Sequence, residues 1–155
     1  MIVDGKGSAL RSLKHSSVLI GTTALTCVFL TGTAQAADFT ITTTGSANGI
    51  ATSNGTNIVS VSETGTITTS GKYAPGISNV GNTNTTTVSG SIETTGRGSQ
   101  GIDHLGDDNK TTLSETGSIT TSGKYAHGLW TEGNTNTTTV SGSITTSGAL
   151  ADGIS

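Results

Sequence analysis

The sequence predicts an all-β solenoid, a parallel β-helix with three-sided coils, and three observations predict it. From Ala37 onward, Thr (28), Gly (19), Ser (16) and Asn (9) make up 72 of 119 residues, a bias that fits disorder, a mucin-like stalk or a regular repeat. Residues 61–103 laid on residues 113–155 then agree at 29 of 43 positions without a gap. VSETGTITTSGKYAPG (61–76) returns as LSETGSITTSGKYAHG (113–128), a register that low complexity alone does not keep. Inside this long period lies a shorter one of 25 to 27 residues that aligns like residues in columns.

The first element in chain order is an address. A basic stretch with Lys6, Arg11 and Lys14 precedes the 13-residue apolar run Val18 to Leu30, and TGTAQA follows. The run is short for a bilayer span of about 20 residues and suits the core of a helical signal peptide. Ala34 and Ala36 form an A-x-A cleavage site, which places the cut before Ala37 and divides the chain into a signal peptide (1–36) and a repeat region (37–155). The lone cysteine, Cys27, lies inside the apolar run, so the mature chain has neither a disulfide framework nor a cysteine-ligated metal.

Three aliphatic columns define the repeat. The first is Ile41, Ile67, Ile92, Ile119 and Ile144, each with glycine four residues on. The second is Ile50, Ile77, Ile102, Leu129 and Ile154, each directly after glycine, and the third is Val61, Val88, Leu113 and Val140. Four residues before each member of the third column stands Asn57, Asn84, Asn109 or Asn136. Thr, Ile and Val favour extended backbone, and alternation such as Thr66-Ile67-Thr68 sets the aliphatic on one face and hydroxyls on the other. Poor helix formers dominate and no i, i+3, i+4 apolar stripe exists, so helices are excluded. A hairpin meander leaves the return of each residue type every ~26 positions without a reason.

A coil returning Ile above Ile and Val above Val supplies that reason, with about 4–5 rungs and a thin core taking one medium-sized side chain per strand. The Asn column reads either as an internal amide ladder or as turn residues tolerating left-handed backbone, the turn being the preferred reading. Ser-Glu-Thr-Gly before Ile67 and Ile119, against Ser-Gly before Ile92 and Ile144, predicts a bulged corner on every second rung. The sequence stops at Ser155 in mid-rung, which predicts a repeat region incomplete at its carboxy-terminal end.

The mature region carries 4 basic and 9 acidic residues, a net −5 that argues against nucleic acid, and it holds no apolar stretch long enough for a transmembrane helix. His104 and His127 have no metal-ligand spacing, and Gly106-Asp107-Asp108-Asn109 reads as a solvated acidic turn rather than a calcium loop. No nucleophile elbow or catalytic constellation is present, so the expectation is a protein that is not an enzyme and needs neither metal nor cofactor. Tyr73 and Tyr125 fall on one corner of alternate rungs, and Trp130 follows Leu129. These aromatics either bind carbohydrate or protein from outside, or cover the corner beside Lys72 and Lys124.

GTITTSGKYAPG (65–76), GSIETTGRGSQG (90–101) and GSITTSGKYAHG (117–128) resemble the repeats of passenger domains of bacterial autotransporters, the type V secreted surface proteins. The resemblance covers roughly residues 39–155 together with the export signal. It implies a right-handed three-sided β-helix, passage through the Sec machinery, and delivery to the surface of a Gram-negative cell by an outer-membrane barrel that this sequence does not include. The expected role is an exported adhesive or autoaggregating stalk, an adhesin associated with virulence, whose partners are host or sister-cell surfaces. The chain then corresponds to an N-terminal fragment, retained in the periplasm if it ends as given. The alternatives are an ice-binding or other non-adhesive secreted solenoid, or a truncated passenger without function.

Overall fold

The computed structural model describes residues 17–20, 33–36, 39–43, 45–53 and 56–155. These residues form strands and turns, and none of them lies in a helix. Strands rich in Thr, Ile and Val run four or five residues, and most stop at Gly, Asn or Ser, where the chain turns. All strand pairs are parallel and make three sheets. The first sheet stacks β1 (Ser17–Ile20), β3 (Phe39–Thr43), β6 (Thr66–Thr69), β9 (Ser91–Thr94), β12 (Ser118–Thr121) and β15 (Ser143–Thr146). The second stacks β4 (Ile50–Ser53), β7 (Ile77–Val80), β10 (Ile102–Leu105) and β13 (Leu129–Glu132). The third stacks β2 (Thr33–Ala36), β5 (Ile58–Val61), β8 (Thr85–Val88), β11 (Lys110–Leu113) and β14 (Thr137–Val140). The chain visits the sheets in rotation, so consecutive circuits stack as a β-solenoid of about four turns.

Register follows the repeat. Ile41, Ile67, Ile92, Ile119 and Ile144 are successive neighbours in the first sheet. Ile50, Ile77, Ile102, Leu129 and Ile154 are neighbours in the second. Val61, Val88, Leu113 and Val140 are neighbours in the third. The central members of these columns are fully buried and form one continuous core with Val59. Ser62–Gly65 and Ser114–Gly117 each close a turn through an i to i+3 backbone bond of 2.9 Å. These turns take up the two extra residues of alternate rungs, which is where the bulged corner was expected.

The core holds more than one side chain per strand, a correction to the sequence expectation. Alternation carries two inward positions on the four-residue strands, and one of the two is polar in most rungs, the second in β6 and β10 and the first in β8. Thr69 and Thr121 are fully buried, and each donates its hydroxyl to the carbonyl of the residue five positions later, Ala74 at 2.7 Å and Ala126 at 2.6 Å. Thr94 does the same toward Ser99. A buried hydroxyl that is bonded escapes most of its desolvation cost, so threonine serves as a core residue here.

The helical signal segment expected over 1–36 falls mostly outside the described residues. Its two described parts, β1 and β2, are extended and pair with β3 and β5. Ala34 and Ala36 lie in β2, and Ala37 lies outside the described residues. Among the described residues no helix is long and apolar enough to cross a membrane.

Candidate functional site

Three polar columns distinguish this solenoid, and each is built by a different corner or strand. The Asn column is an internal amide ladder, and the preferred turn reading is corrected. Asn84 Oδ1 accepts from Asn57 N at 3.0 Å and Asn57 Nδ2 at 2.9 Å, Asn109 Oδ1 accepts from Asn84 N and Nδ2, and Asn136 Oδ1 accepts from Asn109 N. Left-handed backbone lies one residue earlier, at Thr83, Asp108 and Thr135 with φ near 55 to 60°. That placement turns the amides inward, where Asn84 Nδ2 also donates to the Gly81 carbonyl and Asn109 Nδ2 to that of Gly106. The neighbouring acids bond across rungs as well. Asp107 Oδ1 accepts from Asn134 N at 2.7 Å, and Asp108 accepts from the Thr135 hydroxyl. Among the described residues no three metal-ligating side chains cluster.

Within the second sheet, Thr52, Asn79, His104 and Thr131 occupy one inward column. Asn79 Nδ2 donates to His104 Nε2 at 2.7 Å, Thr86 Oγ1 lies 3.1 Å from the same nitrogen, and Thr111 Oγ1 lies 3.2 Å from Nδ1. The amide donor assigns Nε2 as acceptor, so the proton of the neutral ring sits on Nδ1 and points at Thr111. In the sequence His104 has no metal-ligand spacing and no marked role. Its burial was legible from strand parity, because it stands two residues after the buried Ile102. Desolvation pushes the His104 pKa down to about 4. One residue earlier, on the opposite face, burial and then the Glu132 charge push Asp103 up to about 6.

These two groups oppose each other in one pH window. An unfolded chain protonates His104 near pH 6.5 while the folded chain resists until about 4, so stability falls as pH drops through that range, by about 3 kcal/mol at pH 4. Asp103 holds its proton more tightly when folded, so its contribution is present at low pH and is lost as pH rises through about 6. Asp103→Asn is therefore expected to unmask a loss of stability between pH 6.5 and 4, and His104→Asn to unmask a gain over pH 6 to 4. Urea midpoints at pH 7, 5.5 and 4 check both, and parallel pH profiles for the two variants sink the assignment.

The third column is the outward corner between the first and second sheets, and it collects the exposed chemistry. After the inward Thr of each strand the chain runs Ser70-Gly71-Lys72-Tyr73, Thr95-Gly96-Arg97-Gly98, Ser122-Gly123-Lys124-Tyr125 and Ser147-Gly148-Ala149-Leu150. The threonine hydroxyl fastens the far side of this loop, and a turn bond from Ala126 N to Gly123 O closes it. The ladder continues around the corner, with Tyr73 N bonded to Arg97 O, Gly98 N to Lys124 O and Tyr125 N to Ala149 O. Lys72, Arg97 and Lys124 thus stack at about the 4.8 Å rung spacing. Lys72 Nζ sits 4.7 Å from the Tyr73 ring centre, Lys124 Nζ 4.8 Å and Arg97 Cζ 5.5 Å from that of Tyr125.

The fourth position of this corner is left-handed in each of these four rungs, with φ of 55° at Tyr73, 65° at Gly98, 59° at Tyr125 and 58° at Leu150. Glycine adopts that backbone freely, whereas another residue costs about 1 kcal/mol. Gly98 has a second reason, since a Cβ there would lie 2.6 Å from the Tyr73 ring. The Tyr73 ring reaches over Gly98 of the following rung, and the Tyr125 ring meets Arg97 of the preceding one. Trp130 is separate: it lies in β13 beside Asp103 in register, half-buried, with its ring centre 5.0 Å from that of His127. His127 Nδ1 in turn accepts from Asp152 N at 3.1 Å, 3.5 Å from the Asp152 carboxylate. No protein-family profile, curated protein or solved structure matches the chain.

Proposed function

We propose that the chain is an exported structural and binding module, the stalk of a surface protein that works in adhesion or autoaggregation rather than in catalysis. The observation that carries this reading is the uninterrupted stack of rungs, which displays hydroxyl columns and one cation–tyrosine corner along its outside. A stack of that kind repeats kindred groups along its axis and suits an extended partner better than a small substrate. Right-handed winding belongs to the same reading, because a parallel strand-to-strand crossover within one sheet favours that hand. Residues 1–36 supply the expected export, and delivery to the surface needs an outer-membrane barrel as partner.

Expression of the complete reading frame in a Gram-negative host tests this directly. The expected results are a mature chain starting at Ala37 by mass spectrometry, cleavage by protease added to intact cells, and faster settling of the culture. A chain that keeps Met1 and becomes protease-sensitive only after lysis overturns the reading.

An ice-binding role would need unbroken threonine columns. Two outward columns, Thr68, Glu93, Thr120, Thr145 and Thr85, Lys110, Thr137, are each broken by a charge, which leaves the column Thr87, Thr112, Thr139 unbroken but one residue wide. No thermal hysteresis is expected from the purified chain, and measurable hysteresis would reverse the order of the two readings.

A further inference from the structure

We propose that the corner formed by Lys72, Tyr73, Arg97, Gly98, Lys124 and Tyr125 is a binding site for a linear anionic polysaccharide. The proposal rests on reading the chain as a surface binding module, and it names the ligand class of that surface. Three of the four basic residues of the region 37–155 stand in this single column, although the region as a whole is acidic. Among the described residues none of the three has a carboxylate within 4 Å, so their charge is not consumed inside the fold. Tyr73 and Tyr125 are 59% and 38% exposed, which leaves ring surface for a ligand beside each cation.

The tyrosines are also in a position where a turn residue alone does not need them. Gly98 fills the equivalent left-handed site without strain, yet the rungs on either side hold tyrosine there. A ring at that site gains its cation contacts and a platform of the kind that stacks on sugar faces. The backbone positions that carry the cations repeat at about 4.8 Å, close to the length of one pyranose unit in an extended glycan. Consecutive charged sugars along the solenoid axis therefore meet consecutive side chains without bending. Three cations within an acidic region make a weak footprint for nucleic acid, which is held chiefly by many phosphate contacts. A glycan adds ring stacking to the charge, and the corner offers both.

The purified 155-residue chain is to be passed over immobilised heparin, polygalacturonate, neutral dextran and single-stranded DNA. Binding to both acidic glycans is expected, weakening as salt rises, with little retention on dextran or DNA. Retention on only one of the two glycans narrows the class to sulfated or to carboxylated polymers and supports the site. Arg97→Gln and Lys124→Gln together are expected to weaken binding roughly tenfold, while Lys110→Gln in the third sheet leaves it unchanged. Tyr73→Gly removes the ring and fits the left-handed backbone, so it is expected to keep the circular dichroism spectrum and lose affinity. Binding to DNA as strong as to the glycans, binding indifferent to Tyr73→Gly, or no retention on either acidic glycan overturns the proposal. None of these readouts depends on export, so a failure of surface display and a failure of ligand binding are separately visible.

Discussion

Gly96→Ala is expected to destabilise the solenoid by roughly 3 kcal/mol, the upper part of the range for forcing an atom into a packed interior. A Cβ on Gly96 would lie 1.7 Å from the Gly71 carbonyl oxygen and 2.7 Å from Ser99 Oγ. The first of these atoms is backbone and already accepts a bond from Ser99 Oγ of the next rung, so it has no rotamer into which to retreat. The same clash recurs one rung on, where a Cβ on Gly123 would meet Gly96 O at 1.8 Å. This column brings successive backbones into contact, and its glycines are required for space. Ser122→Ala, at an exposed position of the same corner, is the control and is expected to change stability by about 0.5 kcal/mol or less. Urea unfolding followed by circular dichroism measures both. A Gly96→Ala midpoint indistinguishable from that of Ser122→Ala means the rungs do not approach as described.

The second large effect belongs to the amide ladder. Asn84→Ala deletes the acceptor for two donors of Asn57 and removes the Nδ2 bonds to Asn109 Oδ1 and Gly81 O, all in buried or part-buried surroundings. Losing a buried hydrogen-bond partner costs about 1–3 kcal/mol per orphaned group, so a loss of roughly 3 kcal/mol is expected. Asn84→Asp separates this role from that of a turn residue. Aspartate suits turns as well as asparagine does, but here it loses both amide donors and turns a carboxylate toward Asn109 Oδ1. It is therefore expected to destabilise at pH 7 and to recover part of the loss as the pH is lowered. Tolerance of Asp at pH 7 would return the column to the turn reading.

What the sequence made legible follows from which residues advertise their position. Ile67, Ile92 and Ile119 are large, buried and separated by the length of a circuit, so their spacing alone gives the sheet order. Thr69, Thr94 and Thr121 are just as buried, yet they resemble the exposed Thr120 and the half-buried Thr68 beside them. Composition hides them because their hydroxyls are satisfied by carbonyls that only the folded corner brings near. His104 was hidden for the same reason: strand parity placed it inside, but its partners Asn79, Thr86 and Thr111 come from three other strands. At the candidate site, Tyr73 and Tyr125 stood out as rare residues in a repeated place. The cation column did not, because Arg97 belongs to the rung whose tyrosine is replaced by Gly98, and only stacking brings it between Lys72 and Lys124.

The three corners of this coil obey different rules of length. Between the first and second sheets four successive rungs use seven residues, 70–76, 95–101, 122–128 and 147–153, after a first corner of six, 44–49, and between the second and third every rung uses four, as in 81–84, 106–109 and 133–136. Between the third and first sheets the rungs use four residues or two, as at 62–65 and 89–90, and the strands on either side keep their register in both cases. The molecule thus has one seam at which chain length alternates by two residues from rung to rung. New sequence spliced between Ser62 and Gly65 or between Ser114 and Gly117 would hang outside an unaltered core, making this edge the place to graft an epitope or a loop, and the place where longer relatives of such a coil have room to grow.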